Sequence, residues 1–468
     1  MTDLVVHPQT KPLVGSVRPP SDKSVGHRAL LFGAIANGTT RLRRVALGGD
    51  HRSTLGALRA LGVAADEEGE GPERTVTIRG VGLFGLRAPA APLDCGNSGT
   101  TMRLLSGILA AQEFSSELVG DASLLRRPMM RVVSPLRARG ATIDGTPDER
   151  RFRDAFGEVQ DLRPPLRVAG LPEGTALGAL EYELPVASAQ VKSALLLSGL
   201  WAHDPTVIRE PLVTRDHTER FLLHLGVPIA TEGSIVALDP AGWSGQIPAF
   251  EMEIPGDLSA SAFLLAAAIL VDGSQVTVRG VGVNRSRAGV LDVLRDMRAP
   301  IAVEPRGDEA AEPIADVHAG GGAGALTAVR IAGEIVARSI DELPIVAALA
   351  ASAHGTTRIR DASELRVKES DRVKTTVAML RAFGVEASEE PDGLTVVGGG
   401  ALVPAVVDSA GDHRIAMAAA VLGLAARATP QRATTRIHDA DCIATSFPRF
   451  VGTLRALGAT IDVEPDAC

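Results

Sequence analysis

The segment Leu365-Arg-Val-Lys-Glu-Ser-Asp-Arg372 sets cations and carboxylates side by side ahead of an apolar pattern that begins at Val373. On a helix, Lys368 and Arg372 stand four apart and share one face, with Glu369 one step round from Lys368. Such a group can grip an anion and present a carboxyl group to it. For a lone motif, a solvated charged face with i,i+4 pairs explains the same residues. Other segments of the chain repeat the chemistry.

Near the N-terminus, Pro20-Ser-Asp-Lys-Ser-Val-Gly-His-Arg28 places Ser21 and Asp22 before a helix start, with Lys23, Ser24 and Arg28 directing donors to the same end. A helix N-terminus already favours anions through its unpaired N–H groups and its dipole. In Asp94-Cys-Gly-Asn-Ser-Gly-Thr-Thr-Met-Arg103, small residues bracket free backbone amides ahead of another helix, so a phosphate or carboxylate can come close. This is no Walker motif, because no Gly-Lys-Ser/Thr follows. Leu125-Arg-Arg-Pro128 sets cations on chain that is extended before its proline. Ser188-Ala-Gln-Val-Lys192 opens a helix with uncharged donors suited to hydroxyl groups, and Asp412-His-Arg414 opens the last one. Arg is the side chain for bidentate recognition of carboxylate or phosphate. Asp341, in Ser339-Ile-Asp-Glu-Leu-Pro, and Glu369 are the two carboxyl groups placed in sequence for acid–base work. No Ser-His-Asp order, dinucleotide fingerprint or metal-ligand cluster competes. The chemistry therefore points to a transferase acting on a small substrate with two anionic groups, of the phosphorylated-acid class.

These helix starts belong to a repeat. An amphipathic helix ending in Gly recurs as Leu58-Arg-Ala-Leu-Gly62, Leu136-Arg-Ala-Arg-Gly140, Leu223-His-Leu-Gly226, Leu380-Arg-Ala-Phe-Gly384 and Leu454-Arg-Ala-Leu-Gly458. A further copy, Leu294-Arg-Asp-Met-Arg298, lacks the Gly and has Pro300 as its stop. Before each lies a helix rich in Ala and Leu almost all round, for example within 28–37, 101–111, 189–202, 259–271, 343–354 and 413–427. Helices of that kind are buried. The unit reads strand, buried helix, strand, amphipathic helix, strand, strand, and six copies imply two α/β domains of three, with helices inside and sheets outside. At roughly 80 residues the unit is longer than the common solenoid repeats. Residues 149–165 and 305–326, charged or glycine-rich, read as mobile surface insertions uninvolved in chemistry.

At 468 residues the chain is too long for one ordinary core. A net charge of −8 gives no global positive field for nucleic acid or a membrane surface. Cys95, Cys442 and Cys468 lie far apart with no CxxC pair, which suits a reducing cytoplasm better than a disulfide or zinc framework. The start, Met-Thr-Asp-Leu-Val-Val-His-Pro, lacks the pattern of a signal peptide, and the apolar run Leu258 to Val271 is too short to span a bilayer. The expectation is a soluble cytoplasmic protein, monomeric because no pattern demands a partner.

At Ser21-Asp-Lys-Ser…His27-Arg, Leu93-Asp-Cys-Gly-Asn-Ser-Gly-Thr-Thr-Met-Arg, Ser188-Ala-Gln, Thr214-Arg-Asp-His, Leu365-Arg-Val-Lys-Glu-Ser-Asp-Arg and Asp412-His-Arg, the chain resembles the 5-enolpyruvylshikimate-3-phosphate synthases of the enolpyruvyl transferase family. The matches run in order across most of the chain. The resemblance implies transfer of enolpyruvate from phosphoenolpyruvate to shikimate 3-phosphate, with release of phosphate and without metal or organic cofactor. It implies an inside-out α/β barrel in each of two domains of three βαβαββ units: residues 21–251 on the shikimate 3-phosphate side, and 1–20 plus 252–468, with the active site in the cleft between them. Carried over by position, Lys23, Ser24, Arg28, Ser188, Ala189, Gln190, Arg215, Asp341 and Lys368 would meet shikimate 3-phosphate. Lys23, Gly99, Arg127, Gln190, Arg372 and Arg414 would meet phosphoenolpyruvate. Asp341 would accept the proton of the attacking hydroxyl, Glu369 would protonate the methylene carbon, and Lys23 would join both substrates.

Thr445 stands where one branch of that family carries a Lys that contacts phosphoenolpyruvate, so no such role transfers there. Ser188-Ala-Gln and Ile340-Asp-Glu-Leu-Pro resemble the other branch, whose members often tolerate the inhibitor glyphosate, whereas Gly99 leaves the space that tolerant enzymes fill with Ala. Glyphosate is expected to compete with phosphoenolpyruvate. Two alternatives stand beside this reading. The sister enzyme that acts on UDP-N-acetylglucosamine typically uses a loop Cys as acid, and Asp121 to Arg127 holds none. A non-catalytic anion-binding repeat protein would be expected to have lost its charged catalytic groups.

Overall fold

The computed structural model describes residues 2–465, so Cys468 lies outside the described residues. The chain divides into two compact units: Ser21–Ile254 with Glu309–Glu312, and the chain up to Pro20 with Pro255–Asp308 and the chain from Pro313 onward.

In the first unit the Ala- and Leu-rich segments form helices Lys23–Ile35, Gly99–Leu109 and Ala189–Gly199. Every residue from Val25 to Ile35 is buried, as an apolar surface without a polar face requires. The middle helix packs on both others. Where it crosses Ala189–Gly199 the backbones nearly touch: a Cβ on Gly107 would lie 2.1 Å from the Ala194 carbonyl oxygen. Only glycine permits that approach, and it ties together two helices whose N-termini carry site residues.

Three four-stranded sheets surround these helices. One runs Glu251–Glu253, Asn37–Ala46, Glu73–Val81, Ala64–Glu68; the next Leu93–Asp94, Ser116–Val119, Gly157–Val168, Ile143–Asp154; the last Leu180–Glu183, Thr206–Arg209, Ile235–Leu238, Ile229–Glu232. In each the first two strands are parallel and the rest antiparallel. In the second and third sheets the lead strand feeds the buried helix, and an antiparallel hairpin closes each sheet.

The second unit repeats the plan. Helices Leu258–Leu270, Leu343–Ala350 and His413–Ala425 pack on one another. Its three sheets borrow two strands from the start of the chain. Val14–Val17 lies parallel to Gln275–Gly282, and Thr2–Val6 sits between Thr435–His438 and Ile461–Pro465.

The amphipathic helices end as their glycines predict. Gly62, Gly140, Gly226, Gly384 and Gly458 all take positive φ, between +76° and +107°. Arg298, the copy without Gly, takes φ +58° nonetheless, because Met297 still closes the helix and the chain must turn toward the strand Ile301–Glu309. A left-handed non-glycine residue costs about 1–2 kcal/mol, offset in part by the extra chain entropy of glycine. Arg298→Gly is therefore expected to raise stability by up to about 1 kcal/mol, read as a higher urea midpoint at unchanged slope.

Both stretches read as insertions are built into sheets instead. Residues 305–326 supply most of the hairpin Ile301–Glu309 and Glu312–Gly320, where Ala315, Val317 and Ala319 alternate into the core. That period of two was obscured by the glycine-rich run that follows it. Residues 149–165 lie in Ile143–Asp154 and Gly157–Val168, and bury Phe152 and Leu162.

Candidate active site

In the first unit, each buried helix begins with a capping side chain and then a site residue. Asp22 accepts from the Val25 N–H at 3.0 Å, which fixes Lys23 and Ser24 in the first turn. Lys23 Nζ is ion-paired with Asp50. Arg28 lies one turn on and is buried; its Nε donates to Thr218 Oγ1 at 2.7 Å, and its two terminal nitrogens donate to Ser193 Oγ at 2.7 Å and to the Ser24 carbonyl at 2.9 Å. Burial pushes its pKa down to about 10, so it stays charged.

Ser98 caps the next helix, accepting from the Thr101 N–H at 3.1 Å, and leaves Gly99 as its first residue. Two guanidinium groups lie over that glycine. A Cβ there would come within 2.8 Å of an Arg103 terminal nitrogen and 3.2 Å of one from Arg127. Each is held from behind: Arg127 donates to Asn97 Oδ1 at 2.5 Å, Asn97 donates to Asp121 at 2.7 Å, and Arg103 donates to Gln190 Oε1 at 2.6 Å. Gln190 closes the circuit by donating to Thr100 Oγ1 at 2.8 Å. Gly99, Arg127 and Gln190, widely spaced in sequence, are thus brought to one helix start. Ser188 caps the third helix, with Ala189 and Gln190 its first residues, and Arg215 is half-buried just after the loop residue Thr214. Arg103 and Arg127 together make the helix start at Gly99 electropositive.

The second unit carries a cluster of its own. The predicted helical face of Lys368 and Arg372 does not exist. Asp371 accepts from the Lys374 N–H and starts the helix at Arg372, while Lys368 is extended after a short 3-10 turn. The two cations meet instead on a carboxylate, Arg372 at 3.4 Å and Lys368 at 3.5 Å from Asp341 Oδ1. Arg414 donates to the Asp341 carbonyl at 2.9 Å. Arg372 is fully buried and also binds Asp412 at 2.8 Å and Glu369 at 2.6 Å. One guanidinium therefore holds three carboxylates, the geometry for which Arg is suited and Lys is not.

Burial opposes ionisation of Glu369, but Arg372 and the neighbouring cations outweigh it and hold the carboxyl well below the usual range. Burial likewise works against the charge on Arg372, and Glu369 and Asp412 more than restore it. Burial, reinforced by Arg414, pushes His413 down to about 3, so it is neutral.

Sequence reasoning gave no role to Asn97, Arg103, Asp50 or the side chain of Asp412. Asn97 and Arg103 sit inside a motif already singled out and could have been weighed there. Asp50 carries no local signal, since only the fold brings it to Lys23. Thr445 is exposed at the end of the turn Ala440–Thr445. Cys95 is buried, and burial pushes its thiol up to about 12, which suits packing rather than proton transfer. Among the described residues no group of three His, Cys, Asp or Glu could hold a metal ion, and no helix is long and apolar enough to cross a membrane.

Two units of three sheets around buried helices, with guanidinium groups at the helix starts and three carboxylates on one of them, fit a group transferase for small anions. Residues 8–454 match the family model for EPSP synthase (3-phosphoshikimate 1-carboxyvinyltransferase). The chain is 45% identical to a 3-phosphoshikimate 1-carboxyvinyltransferase of Geobacter sp. (strain M21), over 97% of this chain and 99% of that one. It is 44% identical to another from Methylococcus capsulatus, over 96% of each. The structure is similar to EPSP synthase from Acinetobacter baumannii, with TM-score 0.84 at 40% identity over 99% of this chain and all of that one. The enolpyruvyl transferase NikO from Streptomyces tendae shares the fold, with TM-score 0.73 at 18% identity, over 99% of this chain and 98% of that one. The chain belongs to the EPSP synthase family, and its fold is the two-domain α/β enolpyruvyl transferase fold.

Proposed function

We propose that the protein transfers the enolpyruvyl group of phosphoenolpyruvate to the 5-hydroxyl of shikimate 3-phosphate, in the shikimate pathway that leads to chorismate and the aromatic amino acids. The observation that carries the mechanism is the Arg372 guanidinium with Asp341 and Glu369 on two of its own nitrogens. An acid and a base held on one rigid cation can serve the two ends of an addition.

In the addition, the 5-hydroxyl oxygen bonds to C2 of phosphoenolpyruvate and gives its proton to Asp341, while Glu369 gives a proton to C3. In the elimination, C3 returns a proton to Glu369, the double bond re-forms and the C2–O bond to phosphate breaks; the departing phosphate takes the proton held by Asp341. Glu369 must carry a proton to begin. A phosphate or carboxylate drawn to Arg372 competes for the cation that keeps Glu369 ionised and adds negative charge beside it, and both effects raise its pKa.

Lys23, Gly99, Arg127, Gln190, Arg372 and Arg414 are assigned to phosphoenolpyruvate. Lys23, Ser24, Arg28, Ser188, Ala189, Gln190, Arg215, Asp341 and Lys368 are assigned to shikimate 3-phosphate. The electropositive cluster over Gly99 supports the first set, and the capped helix start at Ser188 supports the second. Catalysis would join the half-sites of 21–251 and of 1–20 plus 252–468 on one pair of substrates. The unpaired thiols of Cys95 and Cys442 support a reducing, cytoplasmic setting, and the protein is proposed to act as a monomer. Mass spectrometry of a reaction with both substrates is expected to show 5-enolpyruvylshikimate 3-phosphate; its absence would overturn the assignment.

Glyphosate is proposed to compete with phosphoenolpyruvate at the Gly99 end of the site. A methyl group there meets Arg103 at 2.8 Å and Arg127 at 3.2 Å, so both guanidinium groups must give way. Gly99→Ala is expected to raise the inhibition constant for glyphosate at least about tenfold, the scale of one misplaced charge-assisted contact. Equal constants for wild type and variant would remove the steric argument.

A further inference from the structure

Lys192 is among the largest fully buried side chains, yet it carries an ammonium group and has no place in the reaction. It lies one turn into the Ser188-capped helix, with Nζ 2.8 Å from Glu210 and 2.6 Å from Glu219. Both carboxylates are themselves buried, and together they hold Lys192 above its ordinary range despite its burial. Burying an ammonium group with two carboxyl groups is costly unless they accomplish something structural.

What they hold is the loop that carries Arg215. Glu210 accepts from the Thr214 N–H at 3.2 Å and from the Thr214 hydroxyl, and Lys192 donates to the Thr214 carbonyl at 3.5 Å. Both sides of the Thr214 backbone are therefore tied to one buried charge cluster, immediately before Arg215. Next to Lys192 in the chain, Ser193 shares a 2.7 Å hydrogen bond with Thr218, and both accept from Arg28. That second tie joins the same helix to Lys23–Ile35 and to the helix His217–His224.

We infer that Lys192 and Glu210 are positioning residues: they lock Arg215 to the Ser188–Gln190 helix start, so that both meet shikimate 3-phosphate as one rigid receptor. This rests on the proposed assignment of Arg215 and Ser188–Gln190 to that substrate. Lys192→Met would strand two buried carboxylates and can fail by not folding, so gentler changes test the idea. Gln at position 210 cannot accept from Lys192, the Thr214 N–H and the Thr214 hydroxyl together, whereas Glu219 still contacts Lys192 at 2.6 Å. Thr214→Val removes only the hydroxyl.

Glu210→Gln is expected to raise KM for shikimate 3-phosphate about 10- to 30-fold, with kcat and KM for phosphoenolpyruvate within about threefold, and Thr214→Val to shift the same constant less in the same direction. In a double-mutant cycle, Glu210→Gln added to Arg215→Ala should cost little beyond Arg215→Ala alone, because the network acts through Arg215. A merely structural role would lower the melting temperature and leave that KM unmoved, or add fully to Arg215→Ala; either result overturns the inference. If Arg215→Ala itself leaves KM for shikimate 3-phosphate unchanged, the substrate assignment fails instead.

Discussion

Glu369→Gln is expected to lower kcat by about 10²- to 10⁴-fold, the usual contribution of a positioned general acid, while both KM values stay within a few-fold. Glutamine keeps the shape of the side chain and can still accept from Arg372 at the present 2.6 Å, so binding and folding should survive. What it lacks is a proton acidic enough to transfer to C3. Steady-state kinetics on a variant shown to be folded by its melting curve checks this. A variant that turns over at the wild-type rate would remove Glu369 from the chemistry.

Arg372→Met should fail in two separable ways. Its guanidinium is fully buried among Asp412, Glu369 and Asp341, and Asp412 is itself wholly inaccessible. Removing one partner of such a buried pair costs about 3–5 kcal/mol of stability, since the remaining carboxylate is stranded. If Arg372 meets phosphoenolpyruvate as proposed, loss of that buried, charge-assisted contact should lower kcat/KM by at least about a hundredfold. The two effects part in the double variant Arg372→Met with Asp412→Asn. Neutralising Asp412 while keeping an N-capping amide is expected to restore most of the urea midpoint and none of the activity. Recovery of both would mean that Arg372 serves stability alone.

Much of this was legible in the chain. The glycine-ended helices announced six repeats because a left-handed C-cap has few other solutions, and the Ala- and Leu-rich helices could only be buried. Caps such as Asp22, Ser98, Ser188 and Asp412 placed helix starts because their side chains answer a local need of the backbone. The failures have equally physical causes. Lys368 and Arg372 read as a helical pair because i,i+4 spacing is the commonest use of such residues, whereas Asp371 diverts the chain by capping the helix one residue before Arg372. The strands after Ile301 were hidden by flanking glycines. The Asp50 partner of Lys23 and the Glu210 and Glu219 partners of Lys192 lie on other elements, where no local pattern reports them. They become visible only when folding sets the elements side by side.

The central claim is the acceptor. Phosphate release from phosphoenolpyruvate should be measured with shikimate 3-phosphate and, in parallel, with UDP-N-acetylglucosamine. Release that requires the shikimate ester and ignores the sugar nucleotide is the predicted result. Release with the sugar nucleotide alone, or with neither acceptor, would contradict it.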